Sequence, residues 1–190
     1  MRNLLIVILS LVTSISFAQS LLADRIDYKV FDKKMFDSVM LDEINSRRKE
    51  MKLQPFQFDT ICHQIANFQS RVMVKINNTF QTNNVEIDGV KLKNPRERYE
   101  YFNMVNQVLD MYKKNLESEL VTGIRVGLKS RTFTYQTLAE FVLDNFMDDD
   151  TNRELYRDYG SIDIYAGFSV ELFPDESMYN IYMTNVITSR

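Results

Sequence analysis

The sequence is short of the residues that build disulfide frameworks, metal sites and redox centres. Its 190 residues include one cysteine, one histidine and no tryptophan. A single cysteine cannot form an internal disulfide, and the paired C-x-x-C patterns of zinc and redox sites are absent. Glycine-rich phosphate loops and the G-x-S-x-G nucleophile motif are also missing. These absences exclude disulfide-rich scaffolds and cysteine-based zinc modules, and they give no support to a nucleotide site or an α/β-hydrolase.

Helix and strand breakers are also scarce, with only 5 glycines and 3 prolines. Long secondary-structure elements are therefore expected, and the length fits one ordinary domain with a sizeable core. The 23 basic and 26 acidic residues leave a net charge of −3. This balance argues against a protein that binds nucleic acid by neutralising phosphates.

The first 18 residues have the order of a secretory signal peptide. Arg2 precedes the apolar run Leu4–Leu9, and Ser16 and Ala18 place small residues at the −3 and −1 sites. Cleavage is predicted after Ala18, and the protein is expected to be secreted or periplasmic. No later apolar run approaches the roughly 20 residues of a transmembrane helix, so no transmembrane segment is predicted once the signal is removed.

Hydrophobic spacing predicts helices early in the chain. One helix is predicted over Lys33–Met51, and a second is predicted from the N-cap Asp59 to about Ile76. On the second helix, an apolar stripe would face the core while His63, Asn67 and Ser70 fall on the opposite side. A short hairpin is possible around Asp88-Gly89.

The remaining elements are predicted from capping and alternation. Asn94-Pro95 starts a helix that is expected to carry apolar residues as far as Leu116 and to end before Gly123. Further predictions are a strand at Ile124–Leu128, a helix at Thr134–Met147, and two hairpin strands at Ile162–Phe173 and Met178–Ile187. The predicted class is mixed α/β (α+β), with helices packed against a small antiparallel sheet.

The order of these elements resembles the CAP superfamily, also called SCP-like, in its bacterial secreted branch. The first helix is similar to the family run "LxxINxxR" followed by an "lxPL" corner, and later segments are similar to its second helix, third helix and strand entry. The segments that carry this resemblance are Met40–Phe56, Ile65–Met73, Thr134–Met147 and Tyr159–Gly167.

The resemblance implies a CAP-like α-β-α sandwich over residues 35–190, after the signal peptide 1–18 and a lead-in 19–34. It also implies a cleft in which family members place two histidines and acidic residues that hold a divalent metal. Here Thr82, Ile124 and Asp150 stand at three of those positions, and the chain has no second histidine. We therefore predict a degenerate cleft with no catalytic residues, no bound metal and no cofactor.

Two other clusters need weighing. Cys62 and His63 are adjacent, but neighbouring residues on a helix point about 100° apart, so a buried thiol beside an exposed histidine is the favoured interpretation. Asp148–Asp150 lack the spacing of a calcium loop, so a solvated acidic loop is favoured there.

The leading hypothesis is a secreted, non-enzymatic binding or interaction module. Its partner could be a protein, a glycan or a small apolar ligand, and no nucleic acid is expected. The runner-up is an exported hydrolase that uses unrecognised carboxylates from Glu140, Asp144 and Asp148–Asp150. A third hypothesis is a carrier of a small apolar ligand, which would need an apolar groove.

Overall fold

The computed structural model describes residues 25–76, 84–87, 89–127, 133–147, 150–160, 163–175 and 178–190. The predicted signal peptide, Thr82 and Asp148-Asp149 lie outside these ranges. The α-helices of the described residues are α1 (Lys33–Glu50), α2 (Thr60–Ile76), α3 (Pro95–Val105) and α4 (Tyr135–Met147). Their strands are β1 (Gln57–Phe58), β2 (Val85–Ile87), β3 (Val90–Leu92), β4 (Asn115–Gly127), β5 (Ile164–Asp175) and β6 (Met178–Ser189).

The main sheet has the strand order β1-β5-β6-β4. Strands β5 and β6 form the antiparallel hairpin that the sequence predicts, β4 pairs with the other side of β6, and β1 adds two parallel residues to β5. Alternate residues of β5 and β6 face opposite sides of the sheet. Phe168 and Met183 pack with α1 and α4 on one face, whereas Val186 packs with α2 and α3 on the other. Helix–sheet–helix layering results, and the predicted α+β class is confirmed.

Local capping determines where the helices begin. The side chain of Asp32 accepts a hydrogen bond from the Met35 amide at the start of α1, and Asn94 does the same for Glu97 at the start of α3. Asp59 accepts from the Cys62 amide at the start of α2. These carboxylate and amide oxygens satisfy amides that have no partner within the helix. The three predicted helix starts therefore lie within two residues of those observed.

The predicted extension of α3 to a point before Gly123 is wrong. The helix ends at Val105, and Gln107 has φ of 55°, a left-handed conformation that an α-helix cannot continue through. Beyond it, Asn115–Gly127 forms one long strand that pairs with β6 from end to end. Pairing with β6 outweighs the helical spacing of isolated apolar residues. Residues 124–127 of the predicted strand form only the end of β4, and Leu128 lies outside the described residues.

Helix α2 lies unusually close to the sheet. A Cβ atom placed on Gly167 of β5 would lie 2.0 Å from the His63 backbone nitrogen and 2.3 Å from the Cys62 carbonyl carbon. Ser70, which is predicted on the outer side of α2, is fully buried; its hydroxyl donates to the Ser169 carbonyl and lies 3.0 Å from the Thr184 hydroxyl. The outer placement of Ser70 is therefore wrong, because the sheet offers polar partners to this side of the helix.

Part of the lead-in also belongs to the packed structure. Ile26 donates its amide to the Phe133 carbonyl at 2.8 Å, and Ile26, Tyr28 and Phe31 pack against the α1/α4 core. The segment that precedes α1 is thus held against the start of α4. Among the described residues, none of the helices combines the length and the apolar character that crossing a bilayer requires.

Candidate functional site

A pocket of about 470 Å³ opens between the first half of α1, the short strand β1 and the start of α2. Helix α1 contributes one face of its first two turns, β1 contributes an aromatic ring, and α2 contributes its first turn. The lining residues are Lys34, Asp37, Ser38, Leu41, Phe58, Thr60 and His63.

The pocket lies where the sheet edge is incomplete. Strand β1 covers β5 only at Tyr165 and Ala166, so the Phe168 carbonyl farther along this edge has no strand partner. His63 fills that position, with Nδ1 2.6 Å from the Phe168 carbonyl oxygen. Because a carbonyl oxygen can only accept, Nδ1 carries the proton and Nε2 of the neutral ring is an acceptor. The only histidine of the chain is therefore held in one orientation by the backbone.

Asp37 is the most unusual residue of the pocket. Its side chain is 7% exposed, and both carboxyl oxygens are buried without a hydrogen-bond partner among the described residues. His63 Nδ1 lies 3.7 Å from Oδ2, which is beyond hydrogen-bond distance. The neighbouring Lys33 is engaged elsewhere, since its ammonium contacts Glu171 at 2.5 Å and Asn67 at 3.1 Å. A buried carboxyl group thus lacks both a donor and a directly paired cation.

This environment changes the ionisation of Asp37. Burial raises its pKa from 3.8 to about 7, because a charged carboxylate is poorly solvated there. Lys33 opposes the rise, while the negative charges of Glu171 and Asp32 add to it. Near neutral pH the group therefore exists in comparable amounts as carboxylic acid and carboxylate.

The lining combines this carboxyl group with apolar surface. Phe58 is 53% exposed although it is a large aromatic residue, and its ring centroid lies 5.7 Å from that of His63. Leu41 is partly buried and extends the apolar wall along α1. A mostly apolar pocket with a few polar groups is the usual form of a small-molecule site.

Nucleophilic catalysis finds no support in this arrangement. Such catalysis needs a hydroxyl or thiol hydrogen-bonded to its base, and in the part of the chain that the structure describes none is bonded to His63. Cys62 is fully buried on the other side, 3.4 Å from the Thr188 hydroxyl, and burial raises the pKa of its thiol. The prediction of a buried thiol is confirmed. The predicted exposure of His63 is wrong, since its side chain is only 27% exposed and hydrogen-bonded.

The three predicted cleft positions are not brought together by the described residues. Thr82 lies outside them, and Asp150 begins a short 3-10 helix, Asp150–Tyr156, without a described side chain. Ile124 lies on β4, partly buried against the α1/α4 core. Convergence of these positions on one cleft stays a prediction.

Of the carboxylates in the runner-up hypothesis, Glu140 and Asp144 lie on α4, whereas the side chains of Asp148–Asp150 are outside the described part of the structure. Asp144 is 68% exposed and pairs with Arg47 at 2.8 Å, while Glu140 accepts from Gln136 at 3.1 Å. Gln136 and Arg47 both also bind Glu43. Each of these acids is occupied by a donor. Within the described ranges, no group of three or more histidine, cysteine or acidic residues could hold a metal ion.

The hydrophobic spacing that predicts a helix over Lys33–Met51 does not single out Asp37 as a functional residue. A signal for it exists in the helical wheel. At about 100° per residue, Asp37 projects between Ile44 and Leu41, at the edge of the apolar stripe rather than opposite to it. An acid in that position is predicted to be at least partly buried, which is unusual for an unpaired aspartate.

No family model and no curated protein matches the chain. Solved structures with a similar fold include an outer surface protein of Borrelia burgdorferi, with 12% identity, a TM-score of 0.48, and 88% of this chain and 98% of that chain covered. A cysteine-rich secretory protein of Staphylococcus aureus shares 13% identity at a TM-score of 0.43, covering 83% of this chain and 40% of that chain. An extracellular SCP-domain protein of Bacillus anthracis shares 15% identity at a TM-score of 0.45, and the match covers 82% of this chain and 41% of that chain.

Two of these three structures are described as a cysteine-rich secretory protein and as an extracellular protein containing an SCP domain. The chain spans about two fifths of the length of those two proteins. All three TM-scores lie below 0.5, so the likeness concerns the arrangement of the chain and assigns no activity.

Proposed function

We propose that this protein is an exported, non-catalytic binding module that takes a small amphipathic ligand in the pocket between α1 and α2. The observation that carries the proposal is Asp37, a buried carboxyl group without a donor, in a wall that also presents Leu41 and Phe58. Buried polar groups in folded proteins are nearly always hydrogen-bonded, and exceptions often mark functional sites. A ligand with a polar end and an apolar body would satisfy both features.

Export is supported by the leader pattern of residues 1–18, with its apolar run and its small residues before the predicted cleavage site. A non-catalytic role is supported by the bonding of His63. Its Nδ1 proton is committed to the Phe168 carbonyl, and no nucleophile is hydrogen-bonded to the ring among the described residues. The histidine closes the sheet edge and forms part of the pocket wall.

The test is a titration of the isotopically labelled protein with 2-phenylethanol, an uncharged amphipathic probe, followed by amide NMR. We expect saturable shifts confined to the pocket, at Asp37, Leu41, Phe58 and His63. Phe58→Ala should weaken binding about tenfold, because it removes most of an aromatic contact surface. The matched control is Met51→Ala, which removes a similarly exposed side chain, 55% accessible and outside the pocket lining, and should leave binding unchanged.

Shifts that are absent, that fail to saturate, or that lie mainly outside the pocket would contradict the proposal. Equal loss of binding in Phe58→Ala and Met51→Ala would contradict it as well, because the effect would then be general adhesion to exposed apolar side chains.

A second candidate function is self-association through the segment that follows α3. Met104, Val105, Leu109, Met111 and Tyr112 are each 54–72% exposed within nine residues, whereas exposed apolar residues are usually scattered singly. Symmetric dimers are the commonest oligomers, so a second copy of the chain is the proposed partner. Sedimentation velocity should show a concentration-dependent dimer that the double variant Leu109→Ser, Met111→Ser abolishes. A monomer at all concentrations would remove this candidate.

A further inference from the structure

We propose that the pocket between α1 and α2 recognises an organic cation, a protonated amine attached to an apolar body. The ammonium group would bind the carboxylate of Asp37, and the apolar body would lie against Leu41 and Phe58. This inference rests on the proposed binding function and adds the chemical class of the ligand.

The first argument is that the buried carboxyl group of Asp37 has no hydrogen-bond donor among the described residues. Its two oxygens can accept several hydrogen bonds, yet neither has a partner in the part of the chain that the structure describes. His63 cannot supply one, because its Nδ1 proton goes to the Phe168 carbonyl at 2.6 Å and Nδ1 lies 3.7 Å from Oδ2. Lys33 is held by Glu171 and Asn67. An ammonium group brings three donors and the missing positive charge together, and charge-assisted hydrogen bonds are the strong ones.

The second argument is the charge of the surroundings. The charged groups near an ionised Asp37 are Asp32, Lys33 and the rim residue Lys34 around the start of α1, and Glu171 on β5. The α2 side contributes His63. With the histidine neutral, three negative charges face two positive ones, so a cationic ligand neutralises the site. A carboxylate ligand would add a further negative charge beside Asp37 and is disfavoured.

The third argument is the exposed aromatic ring. Phe58 is 53% exposed on the two-residue strand β1, and an aromatic face attracts a nearby cation while it also shields apolar atoms. The oxygens of Asp37 are themselves covered, so a ligand reaches them only after a lining side chain moves. Phe58 and Lys34, both exposed, are the side chains that can move without disturbing the core.

Three probes with similar apolar bodies test this inference by isothermal titration at pH 8. They are 2-phenylethylamine, 2-phenylethanol and 3-phenylpropionate, which carry a cation, a neutral hydroxyl and an anion. We expect the amine to bind at least tenfold tighter than the alcohol and the carboxylate to bind most weakly. Asp37→Asn should remove the preference for the amine, so that the variant binds the amine and the alcohol with affinities within about twofold of each other.

The matched control is Asp110→Asn. The Asp110 side chain is 93% exposed and lies outside the pocket lining, so the substitution should leave the affinities of all three probes unchanged. The pH profile of the wild-type protein provides a second readout that needs no variant. Because the pKa of Asp37 is about 7, the carboxylate that binds the amine is lost at lower pH. Amine affinity should then fall nearly tenfold for each pH unit well below 7, whereas alcohol affinity should not fall.

The outcomes separate the two levels of the proposal. The cation inference is overturned, and the binding function stands, if the alcohol binds in the pocket but the amine binds no tighter than the alcohol and its affinity does not fall at low pH. If the carboxylate binds tightest, the inference is also overturned. If none of the three probes binds, the inference and the proposed function both fail.

Discussion

Replacing Asp37 with asparagine should stabilise the protein, although it removes a buried group. The pKa of Asp37 is raised from 3.8 to about 7 in the folded protein, so between these values the folded state holds a proton that the unfolded chain has released. Stability from this group is therefore fully present below about pH 4 and is lost as the pH rises towards 7. The difference between the folded and unfolded pKa lowers the free energy of unfolding by about 4 kcal/mol at most at high pH, at about 1.4 kcal/mol per pKa unit. Asparagine has nearly the same shape and does not titrate.

The assay is urea unfolding of the wild-type protein and Asp37→Asn at pH values from 4 to 8. At pH 4 the two free energies of unfolding should agree within about 1 kcal/mol, since both side chains are neutral. At pH 8 the variant should be more stable by about 2 to 4 kcal/mol, the lower figure allowing for relaxation around the charge. Subtracting the two curves removes the contributions of all other titrating groups that the substitution does not affect.

The matched control is Asp144→Asn, which removes a 68% exposed carboxylate paired with Arg47. It should change stability by less than about 1 kcal/mol, in the destabilising direction and with little pH dependence between 6 and 8. A difference between wild type and Asp37→Asn that does not vary with pH would refute the reasoning. Lower stability of the variant at pH 8 would show that Asp37 has a stabilising partner after all.

Three further predictions follow from buried contacts. Gly167→Ala should lower the free energy of unfolding by about 3 kcal/mol or more, measured by thermal unfolding, because the new Cβ would lie 2.0 Å from the His63 nitrogen. A decrease of less than about 1 kcal/mol would mean that α2 moves freely on the sheet. Glu119→Gln leaves the fully buried Arg98 without its charged partner and should lower the free energy of unfolding in urea by about 3–5 kcal/mol. An unchanged urea midpoint would indicate that Arg98 is solvated. Cys62 should resist a thiol reagent at pH 8 in the folded protein and react quickly in urea, because its thiol is fully buried with a raised pKa; rapid native labelling would contradict that burial.

The sequence predicts those elements whose signals are local. The predicted N-caps Asp59 and Asn94 make side-chain-to-backbone contacts within three residues, so they can be recognised without the fold. The terminal hairpin is predicted for the same reason, from two alternating runs that follow each other closely in the sequence. By contrast, the true end of α3 depends on the left-handed Gln107 and on the pairing of β4 with β6, which no short window contains.

The residues behind the family resemblance have structural contacts. Asn45 exchanges two hydrogen bonds with the backbone of Phe56, and the fully buried Arg48 donates to the carbonyls of Gln54 and Leu155 while it lies 4.2 Å from the Phe56 ring centroid. These contacts hold the corner after α1 against the rest of the fold. The motif therefore reports how the chain is packed, and it carries no information about a ligand.

The candidate site could not be predicted because its parts come from three separate elements. Asp37 is unusual only once α2 and β5 bury it, and His63 is placed by an unpaired carbonyl on the sheet edge. Neither fact is visible in the spacing of residues. The helical wheel places Asp37 beside apolar neighbours, but the missing donor depends on where Lys33 and His63 point.

The ionisation of Asp37 tests the central claim most directly. In protein labelled at aspartate carboxyl carbons, the NMR signal that Asp37→Asn removes should titrate with a midpoint near pH 7 in the free protein. Saturation with 2-phenylethylamine should move that midpoint down by at least one pH unit, because the bound cation favours the carboxylate. A midpoint near 4 in the free protein would contradict the burial of an unpartnered carboxyl group. A midpoint near 7 that saturating amine does not lower would show that no cation binds beside Asp37.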